Sequence, residues 1–277
     1  MKTIILLSFL LLTTALGAQT TIRGRVIDAE SQAPIPYVNI GVKRLATGTV
    51  SDEQGVFSLV LKQAEELITF SAIGYQAREI SGMAWKDGQA VELSRRAYDL
   101  EQVEVKARQF NGPEKIFGAR NDTRGLSIGF GSRQLGAQIG AIIPIDRPTY
   151  VKSANFVLNH AKGDSMLFRV NIYTFQGGEA GDNLLRENVL IHSRQQKGTI
   201  TVDLTPYDLV LEQDALLSLE WVRDDGKEGN LGITFDTKKG KKGKGVYLKN
   251  SSIGAFSKLG YKTAYKPCFY FVGRQVD

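Results

Sequence analysis

The sequence predicts an all-β protein made of two successive β-sandwiches. Apolar and polar residues alternate with period two in many short segments, which is typical of half-buried strands. Twenty-nine glycines and seven prolines among the 277 residues supply frequent turn signals. No segment carries a helical apolar stripe of useful length. The 42 % of hydrophobic and 23 % of charged residues indicate a folded chain, and its length accommodates two modest domains.

The first 18 residues have the pattern of a secretory signal peptide. Lys2 supplies the positive start, residues 4–12 form an apolar run, and small residues lead to a cleavage point after Gly17 or Ala18. A retained membrane anchor is the alternative, but the run is shorter than the roughly 20 residues that a spanning helix needs. We therefore expect an exported protein, periplasmic or associated with the cell surface or outer membrane, without a transmembrane span after signal removal.

Cys268 is the single cysteine of the chain. It excludes an intramolecular disulfide and a four-cysteine zinc site. No cysteine follows the signal peptide to accept a lipid, so we do not expect a lipoprotein. Cys268 opens a continuous apolar run to Val272, which predicts a buried thiol rather than one available for intermolecular pairing.

The strand pattern begins directly after the signal peptide. Alternation is clear in residues 21–27, 37–42 and 56–61. Residues 30–36 form a turn-rich link with two prolines, and residues 52–55 (Asp-Glu-Gln-Gly) predict a tight turn. Asp can accept hydrogen bonds from the backbone that follows it, and Gly tolerates a positive φ.

Five segments of this first half carry a family resemblance. They are Gly24-Arg25-Val26-Ile27-Asp28, Pro36-Tyr37-Val38-Asn39-Ile40, Gly48-Thr49-Val50-Ser51-Asp52-Glu53-Gln54-Gly55-Val56-Phe57, Phe70-Ser71-Ala72-Ile73-Gly74-Tyr75 and the closing stretch from Leu93 to Val105. Their order and spacing resemble the carboxypeptidase regulatory-like domain, in the form found in secreted and outer-membrane proteins of Bacteroidota-type bacteria.

The resemblance implies a seven-stranded, transthyretin-like β-sandwich over residues 19–105. Such a domain is not catalytic, and it often precedes TonB-dependent transporters. Gly24 and Gly74 are expected to allow bends or close backbone approach, and Phe57, Phe70 and Tyr75 to fill the core.

A metallocarboxypeptidase would need a His-x-x-Glu pair and a distant second histidine. Neither His160 nor His192 is followed by Glu at the third position, so the sequence offers no such zinc site.

The second half predicts another all-β unit. Residues 106–124 are polar, which predicts a linker and lead-in segment. Residues 125–277 are expected to form a jelly-roll-like β-sandwich. About eight strands are expected there, in the apolar-rich runs 138–145, 150–158, 166–175, 189–204, 215–222, 230–235, 245–248 and 267–272. Their order resembles jelly-roll domains, which include many carbohydrate-binding modules.

The net charge of +6 comes from Lys2 and one glycine-spaced tract, which contains Lys238, Lys239, Lys241, Lys242 and Lys244. The tract predicts a flexible, hairpin-like loop. Either it is simply solvated, or it contacts an anionic glycan, a phosphate-rich lipid or an acidic partner. Nucleic acid is not expected as a partner, because the chain is exported and no aromatic residues lie between the lysines.

Glu220 and Trp221 form the one pair that resembles a glycosidase carboxylate beside a sugar-stacking ring. A second carboxylate would have to come from Asp203, Asp224 or Asp225. In the alternative interpretation, Trp221 belongs to the core and Glu220 faces solvent. The segment 224–226 (Asp-Asp-Gly) predicts a hairpin turn, with a calcium site as the alternative.

Aromatic residues cluster late in the chain near the lysine tract. Together with that tract they define the predicted ligand-binding residues: Trp221, Tyr247, Tyr261, Tyr265, Lys238, Lys239, Lys241, Lys242 and Lys244. Tyrosines next to cations can form a glycan-binding surface, but they also serve as core and edge residues.

No nucleophile elbow or phosphate-binding loop is present, so no catalytic residue, metal or cofactor is predicted. Three functions remain. The leading one is a non-catalytic envelope protein acting in binding or assembly, with an envelope protein or a glycan as partner. The others are a carbohydrate-binding protein that uses the jelly roll, and a glycan hydrolase with paired carboxylates. The oligomeric state stays open.

Overall fold

A computed structural model describes residues 20–45, 47–62, 66–96, 110–120, 127–130, 135–161, 166–224, 233–239, 245–259 and 265–276. The predicted signal peptide lies outside these residues, as does the end of the segment 224–226. The architecture is all-β, as the sequence predicts.

The N-terminal strands form two small sheets. The strands are β1 (Thr20–Asp28), β2 (Asn39–Val42), β3 (Thr47–Val50), β4 (Val56–Leu61), β5 (Leu67–Ser71), β6 (Arg78–Ser81) and β7 (Ala90–Leu93). Sheet A has the order β4-β1-β7, in which β1 and β7 are parallel, and sheet B has the order β3-β2-β5-β6. Within residues 20–93, the described strands therefore number the seven that the resemblance implies.

The remaining strands build a larger sandwich. They are β8 (Lys115–Gly118), β9 (Ile128–Phe130), β10 (Gln138–Ile143), β11 (Thr149–Ala161), β12 (Met166–Gln176), β13 (Glu179–Asn183), β14 (Val189–Ser193), β15 (Gly198–Asp203), β16 (Val210–Leu211), β17 (Ala215–Asp224), β18 (Ile233–Phe235), β19 (Thr237–Lys239), β20 (Val246–Lys249), β21 (Ser257–Lys258), β22 (Tyr265–Pro267) and β23 (Phe269–Gln275). Sheet C has the order β13-β12-β17-β10-β20-β21, with β14 also on β12. Sheet D has the order β8-β23-β11-β18-β9, with β15 and β16 also on β11, and β19 pairs β22.

Alternation along the strands supplies the N-terminal core. Phe57, Leu59 and Leu61 of β4 face inward, whereas the residues between them are exposed. Trp85 closes this core, because its ring lies 5.7 Å from that of Phe57 and 6.1 Å from that of Phe70. An added Cβ on Gly24 would lie 2.6 Å from the Gln89 carbonyl oxygen, which confirms the expected close approach at this glycine.

The tight turn at residues 52–55 forms as the sequence predicts. Oδ1 of Asp52 accepts hydrogen bonds from the amides of Gln54 (2.9 Å) and Val56 (2.8 Å). Gly55 has a φ of +73°, a left-handed conformation that glycine adopts without a Cβ clash. The same turn brings Glu53 to the surface beside the C-terminal region.

Sheets C and D enclose the second core. Phe168 and Val170 of β12 and Leu219 and Trp221 of β17 point into it, opposite Phe269 of β23. Because successive side chains alternate, the residues between them form the other face of sheet C. That second face is the one that carries the candidate site.

The structure corrects the sequence analysis at two places. Lys115–Gly118 lies in the segment assigned to a linker, yet it pairs with Tyr270–Gly273 of β23 at the edge of sheet D. The described residues from 110 to 276 contain sixteen strands rather than about eight. The additional strands are short or polar, so period-two alternation does not reveal them.

Among the described residues, the helical segments are three short 3-10 turns, and none has the length and apolar character that crossing a bilayer requires.

Candidate functional site

A row of polar side chains crosses the second face of sheet C. Strand register places Lys249 of β20 beside Gln138 of β10, Gln138 beside Glu220 of β17, and Glu220 beside Arg169 of β12. The row thus has two cations flanking an amide and a carboxylate. Gln138, Glu220 and Arg169 are each no more than 1 % exposed, although they lie outside the hydrophobic core.

Glu220 is the centre of this row. Its Oε2 accepts hydrogen bonds from Nδ2 of Asn171 at 2.9 Å and from Nε2 of Gln138 at 3.4 Å, and it lies 3.8 Å from Nε of Arg169. Its Oε1 has no hydrogen-bond partner. A buried carboxylate needs such neighbours, because the loss of hydration is otherwise uncompensated.

Neighbouring polar side chains extend the row into a network. Oε1 of Gln138 accepts hydrogen bonds from the hydroxyls of Ser218 (2.8 Å) and Tyr173 (3.2 Å). Nδ2 of Asn183 donates a 2.9 Å hydrogen bond to Oδ1 of Asn171. Burial, and then the charge of Glu220, raise the pKa of Tyr173, so this hydroxyl stays protonated and remains a donor.

The N-terminal domain covers one part of this polar face. The guanidinium of Arg169 donates a hydrogen bond to the main-chain carbonyl of Tyr37, which has a φ of +56°. A left-handed conformation is rare for a bulky residue, so Tyr37 is held there by its surroundings. Tyr37 and Val50 also pack with Leu167 and Val222 in a small apolar cluster between the two regions.

Two further polar contacts join the regions. Oγ of Ser252 donates a buried 2.8 Å hydrogen bond to the main-chain carbonyl of Ile40. Oε1 of Glu53 accepts hydrogen bonds from the Tyr37 hydroxyl (2.8 Å) and from Nη1 of Arg223 (2.7 Å). Burial, followed by the hydrogen bond to Glu53, raises the pKa of Tyr37 to about 12.

A cleft of about 720 Å³ opens beside these contacts, between sheet B and the polar face of sheet C. Arg169, Asn171, Tyr173 and Lys249 line the side of sheet C. The opposite side contributes polar residues that include Asn39, Lys43, Tyr75, Gln76, Glu79 and Arg96. The volume falls within the range of ligand-binding sites.

Unsatisfied polar atoms lie along the cleft. Nε of Arg169 and Oδ1 of Asn39 are buried without a hydrogen-bond partner, one on each side. Lys249 is half-buried on the wall formed by sheet C, and loss of hydration lowers the pKa of its ammonium group although Glu220 acts in the opposite direction. The cleft therefore presents donors, an acceptor and positive charge that the protein itself does not fully satisfy.

The structure buries two of the predicted aromatic residues, Trp221 in the second core and Tyr247 on the polar face of sheet C. Trp221 is 3 % exposed and packs against Phe130 and Phe168, and its indole Nε1 donates to the Arg223 carbonyl. Tyr247 is 6 % exposed and packs edge-on against Phe175 at 5.3 Å. Neither ring can stack on a ligand from this position, which corrects the prediction of a binding surface containing them.

The other predicted residues are on or beside the pair β19–β22. Lys238 and Lys239 belong to β19, a strand rather than a loop, and Lys239 lies opposite the half-buried Tyr265 of β22. None of these three lines the cleft. Tyr261, Lys241, Lys242 and Lys244 lie outside the described residues.

Among the described side chains, Glu220 and Asp203 do not form the carboxylate pair predicted for a hydrolase. Glu220 is buried on the polar face of sheet C, which corrects the expectation that it faces solvent. Asp203 ends β15 of sheet D, where it is exposed and accepts hydrogen bonds from the amide and hydroxyl of Thr205. Within the described ranges, no group of three or more His, Cys, Asp or Glu side chains is arranged to hold a metal ion.

Sequence reasoning missed the polar row. The sequence gives no sign that Arg169 is buried under a second domain. The available signal was the repeated polar choice on one face of three predicted strands, at Gln138, at Arg169 and Asn171, and at Ser218 and Glu220. Such alternation normally marks a solvent-facing side.

Comparison with known proteins identifies the N-terminal region. The family model described as "CarboxypepD_reg-like domain" matches residues 22–105. This stretch is a carboxypeptidase regulatory-like domain. The regulatory-like domain accounts for sheets A and B and for one side of the cleft.

A receptor is among the relatives of the chain. TonB-dependent receptor P39 of Formosa agariphila is 27 % identical over 133 residues, which are 47 % of this chain and 10 % of the receptor. The chain thus spans about a tenth of the length of that relative. Its source agrees with a regulatory-like domain of the Bacteroidota type.

Two solved structures of Cwp84, from Clostridium difficile, are similar at low level. One contains the cysteine protease and lectin-like domains of this surface layer associated protein; it has 10 % identity and a TM-score of 0.39, and covers 83 % of this chain and 46 % of the other. The second, solved after propeptide cleavage, has 9 % identity and a TM-score of 0.41, with 83 % and 51 % covered. Both TM-scores are too low to establish a shared fold.

Proposed function

We propose that this chain is a non-catalytic binding module of the cell envelope, and that its ligand binds in the cleft between the regulatory-like domain and sheet C. One observation carries the proposal. A sheet face built from charged and amide side chains is buried by a second domain, yet polar atoms on both sides of the cleft lack partners.

The envelope setting is supported by two independent features. Residues 1–18 have the pattern of a secretory signal peptide. The relative from Formosa agariphila is a TonB-dependent receptor, and the chain matches a tenth of it. We infer an exported protein, in the periplasm or associated with the outer membrane or cell surface, and a partner that is a glycan or an envelope protein.

A binding role agrees better with the cleft than a catalytic one. Glu220 is the carboxylate nearest Arg169, and its Oε2 already accepts hydrogen bonds from Asn171 and Gln138. Asp182 and Glu79 line the cleft, but both are exposed, and Glu79 accepts a hydrogen bond from Thr69, so neither has the desolvated environment that keeps a general acid protonated. A glycosidase would need two carboxyl groups flanking the scissile bond.

The test is a thermal-shift screen of the mature chain, residues 19–277, against envelope glycans and cell-wall fragments. A ligand that binds the native state raises the unfolding temperature. The variant Gln76→Trp adds bulk at an exposed cleft residue, and Gln54→Trp is the matched control in an exposed turn outside the cleft. We expect a stabilising ligand whose effect is lost in Gln76→Trp only. A stabilising effect that is equal in both variants would place the binding elsewhere and contradict the proposal.

A further inference from the structure

The polar row of sheet C, which borders the cleft, carries an unbalanced positive charge. Across the row on sheet C, Lys249 and Arg169 are cations and Glu220 is the single anion. At the mouth, Lys43 and Arg96 are matched by two carboxylates, those of Glu79 and Asp182. The excess of one positive charge therefore belongs to the row, where Lys249 is half-buried and lies beside an amide rather than a carboxylate.

The two cations are unequally supplied with partners. Arg169 donates to the Tyr37 carbonyl and approaches Glu220, but its Nε has no hydrogen-bond partner. Lys249 is separated from Glu220 by Gln138, which occupies the strand between them. Burial lowers the pKa of Lys249, as expected for an ammonium group without a carboxylate of its own. An anionic group in the cleft would supply Lys249 with the partner that it lacks.

The rest of the lining suits a polyhydroxylated molecule. Exposed polar side chains come from Gln76 and Glu79 on one wall and from Asp182 on the other. Amides can donate and accept at once, which matches the paired donor and acceptor character of sugar hydroxyls.

We propose that the cleft binds an acidic oligosaccharide, with a sugar carboxylate placed against Lys249 on the wall formed by sheet C. This inference rests on the proposed binding function and adds the ligand class. The cleft volume of about 720 Å³ accommodates a ligand of a few sugar rings. The carboxylate compensates the charge of Lys249, and the exposed polar side chains of the two walls bind the ring hydroxyls.

The experiment is calorimetric titration of the mature chain with a trimer of galacturonic acid and with the methyl ester of the same trimer. The ester keeps the rings and hydroxyls but removes the charge. We expect the acid to bind about 10- to 100-fold more tightly than the ester, the difference that one charged hydrogen-bonded contact supplies. Equal affinity for the two would overturn the assignment of the carboxylate.

Variants at Lys249 locate the contact. Lys249→Met keeps the apolar stem and should weaken binding of the acid to the level of the ester, whereas Lys249→Arg should restore most of it. Lys258→Met is the control, because Lys258 is exposed on β21 and does not line the cleft. Thermal unfolding of each variant establishes that it is folded. An equal loss in Lys258→Met would show that the attraction is general and would contradict the proposal.

The ligand class and the binding function fail in different ways. If a neutral glycan stabilises the chain, loses its effect in Gln76→Trp and binds better than the acid, the acidic ligand is wrong and the binding function holds. If neither acid, ester nor neutral glycan binds, both the ligand class and the binding function in this cleft are contradicted.

Discussion

The hydroxyl of Ser252 donates a 2.8 Å hydrogen bond to the main-chain carbonyl of Ile40, across the boundary between the two domains. Both groups are buried, so neither has water as an alternative partner. Gly48 lies directly beside them, since a Cβ there would be 2.3 Å from the Ser252 oxygen and 2.9 Å from the Ile40 carbonyl oxygen. The two domains therefore pack through backbone as well as side chains at this point.

The first prediction concerns that contact. Ser252→Ala leaves the Ile40 carbonyl unsatisfied and should lower the free energy of unfolding by about 1–3 kcal/mol. Gly48→Ala should cost at least as much, because the new methyl group meets backbone as well as the hydroxyl. Urea denaturation measures both, with Ser58→Ala on the exposed face of β4 as control. Unchanged midpoints for Ser252→Ala and Gly48→Ala would show that the domains do not pack through this contact.

Asp28 should govern acid stability of the regulatory-like domain. Its carboxylate accepts hydrogen bonds from the amides of Ser31 and Glu30, the Tyr75 hydroxyl and Nε of Arg95. The amide of Ser31 above all, with the Tyr75 hydroxyl, lowers the pKa of Asp28 far below its usual range. A depressed folded-state pKa contributes stability at neutral pH that is lost as pH falls below the unfolded value of about 3.9.

The test compares Asp28→Asn with the wild type across pH. We expect the variant to be less stable at pH 7 and to lose less further stability than the wild type on acidification below about pH 4. Asp87→Asn, at an exposed aspartate that accepts one hydrogen bond from the Arg23 amide, is the control. Parallel acid-unfolding curves for wild type and Asp28→Asn would contradict the role given to this carboxylate.

Arg169 and Glu220 should be coupled energetically. Removing one charge of a buried pair leaves the other uncompensated, a loss of about 3–5 kcal/mol. We expect Arg169→Met and Glu220→Gln each to destabilise the protein strongly. The double variant should be less unstable than the sum predicts, with a coupling of about 0.5–3 kcal/mol. Chemical denaturation of the four proteins measures this cycle, and simple additivity would argue that the pair does not interact.

Strand β8 should be part of the C-terminal sandwich. Gly118 has a φ of +116°, and a Cβ there would lie 2.5 Å from the Phe269 carbonyl oxygen. Gly118→Ala should therefore separate β8 from β23 and cost more than about 1 kcal/mol. A fragment of residues 110–277 should likewise unfold at a higher temperature than one of residues 125–277. If the two fragments melt together, the original linker assignment for this segment is the better one.

Cys268 should be unreactive in the folded protein. The thiol is fully buried, as its apolar sequence context predicts. A thiol reagent such as a dithiobis-benzoate should modify it only after unfolding, because the attacking thiolate must be accessible. The reagent is added with and without denaturant, and rapid modification under native conditions would contradict the burial.

The strands with clear alternation were predictable, because one buried face imposes period two on the sequence. The turn at Asp52 and Gly55 was predictable for the same kind of local reason. Burial of the polar row was not, because Arg169 and Glu220 look like solvent-facing residues until another domain covers them. Long-range packing decides their environment, and no local pattern encodes it.

The same limit explains why two of the predicted aromatic residues are buried instead of exposed. The rings of Trp221 and Tyr247 suit a glycan-binding surface and a protein interior equally well, so residue type alone does not predict their position. Alternation from Glu220 correctly divides Trp221 from the polar side. The proposed binding cleft borders the other face, where the regulatory-like domain forms the second wall.

The position of β23 within sheet D has a consequence for the order of assembly. Phe269–Gln275 lies between β8 and β11, and each of these two neighbours precedes it by more than a hundred residues in the chain. This internal strand of sheet D is synthesised, and leaves the ribosome or export channel, after the strands that flank it. Contact order of this kind slows folding. The regulatory-like domain, whose strands are finished by Leu93, can be folded long before the sandwich that rests on it is complete.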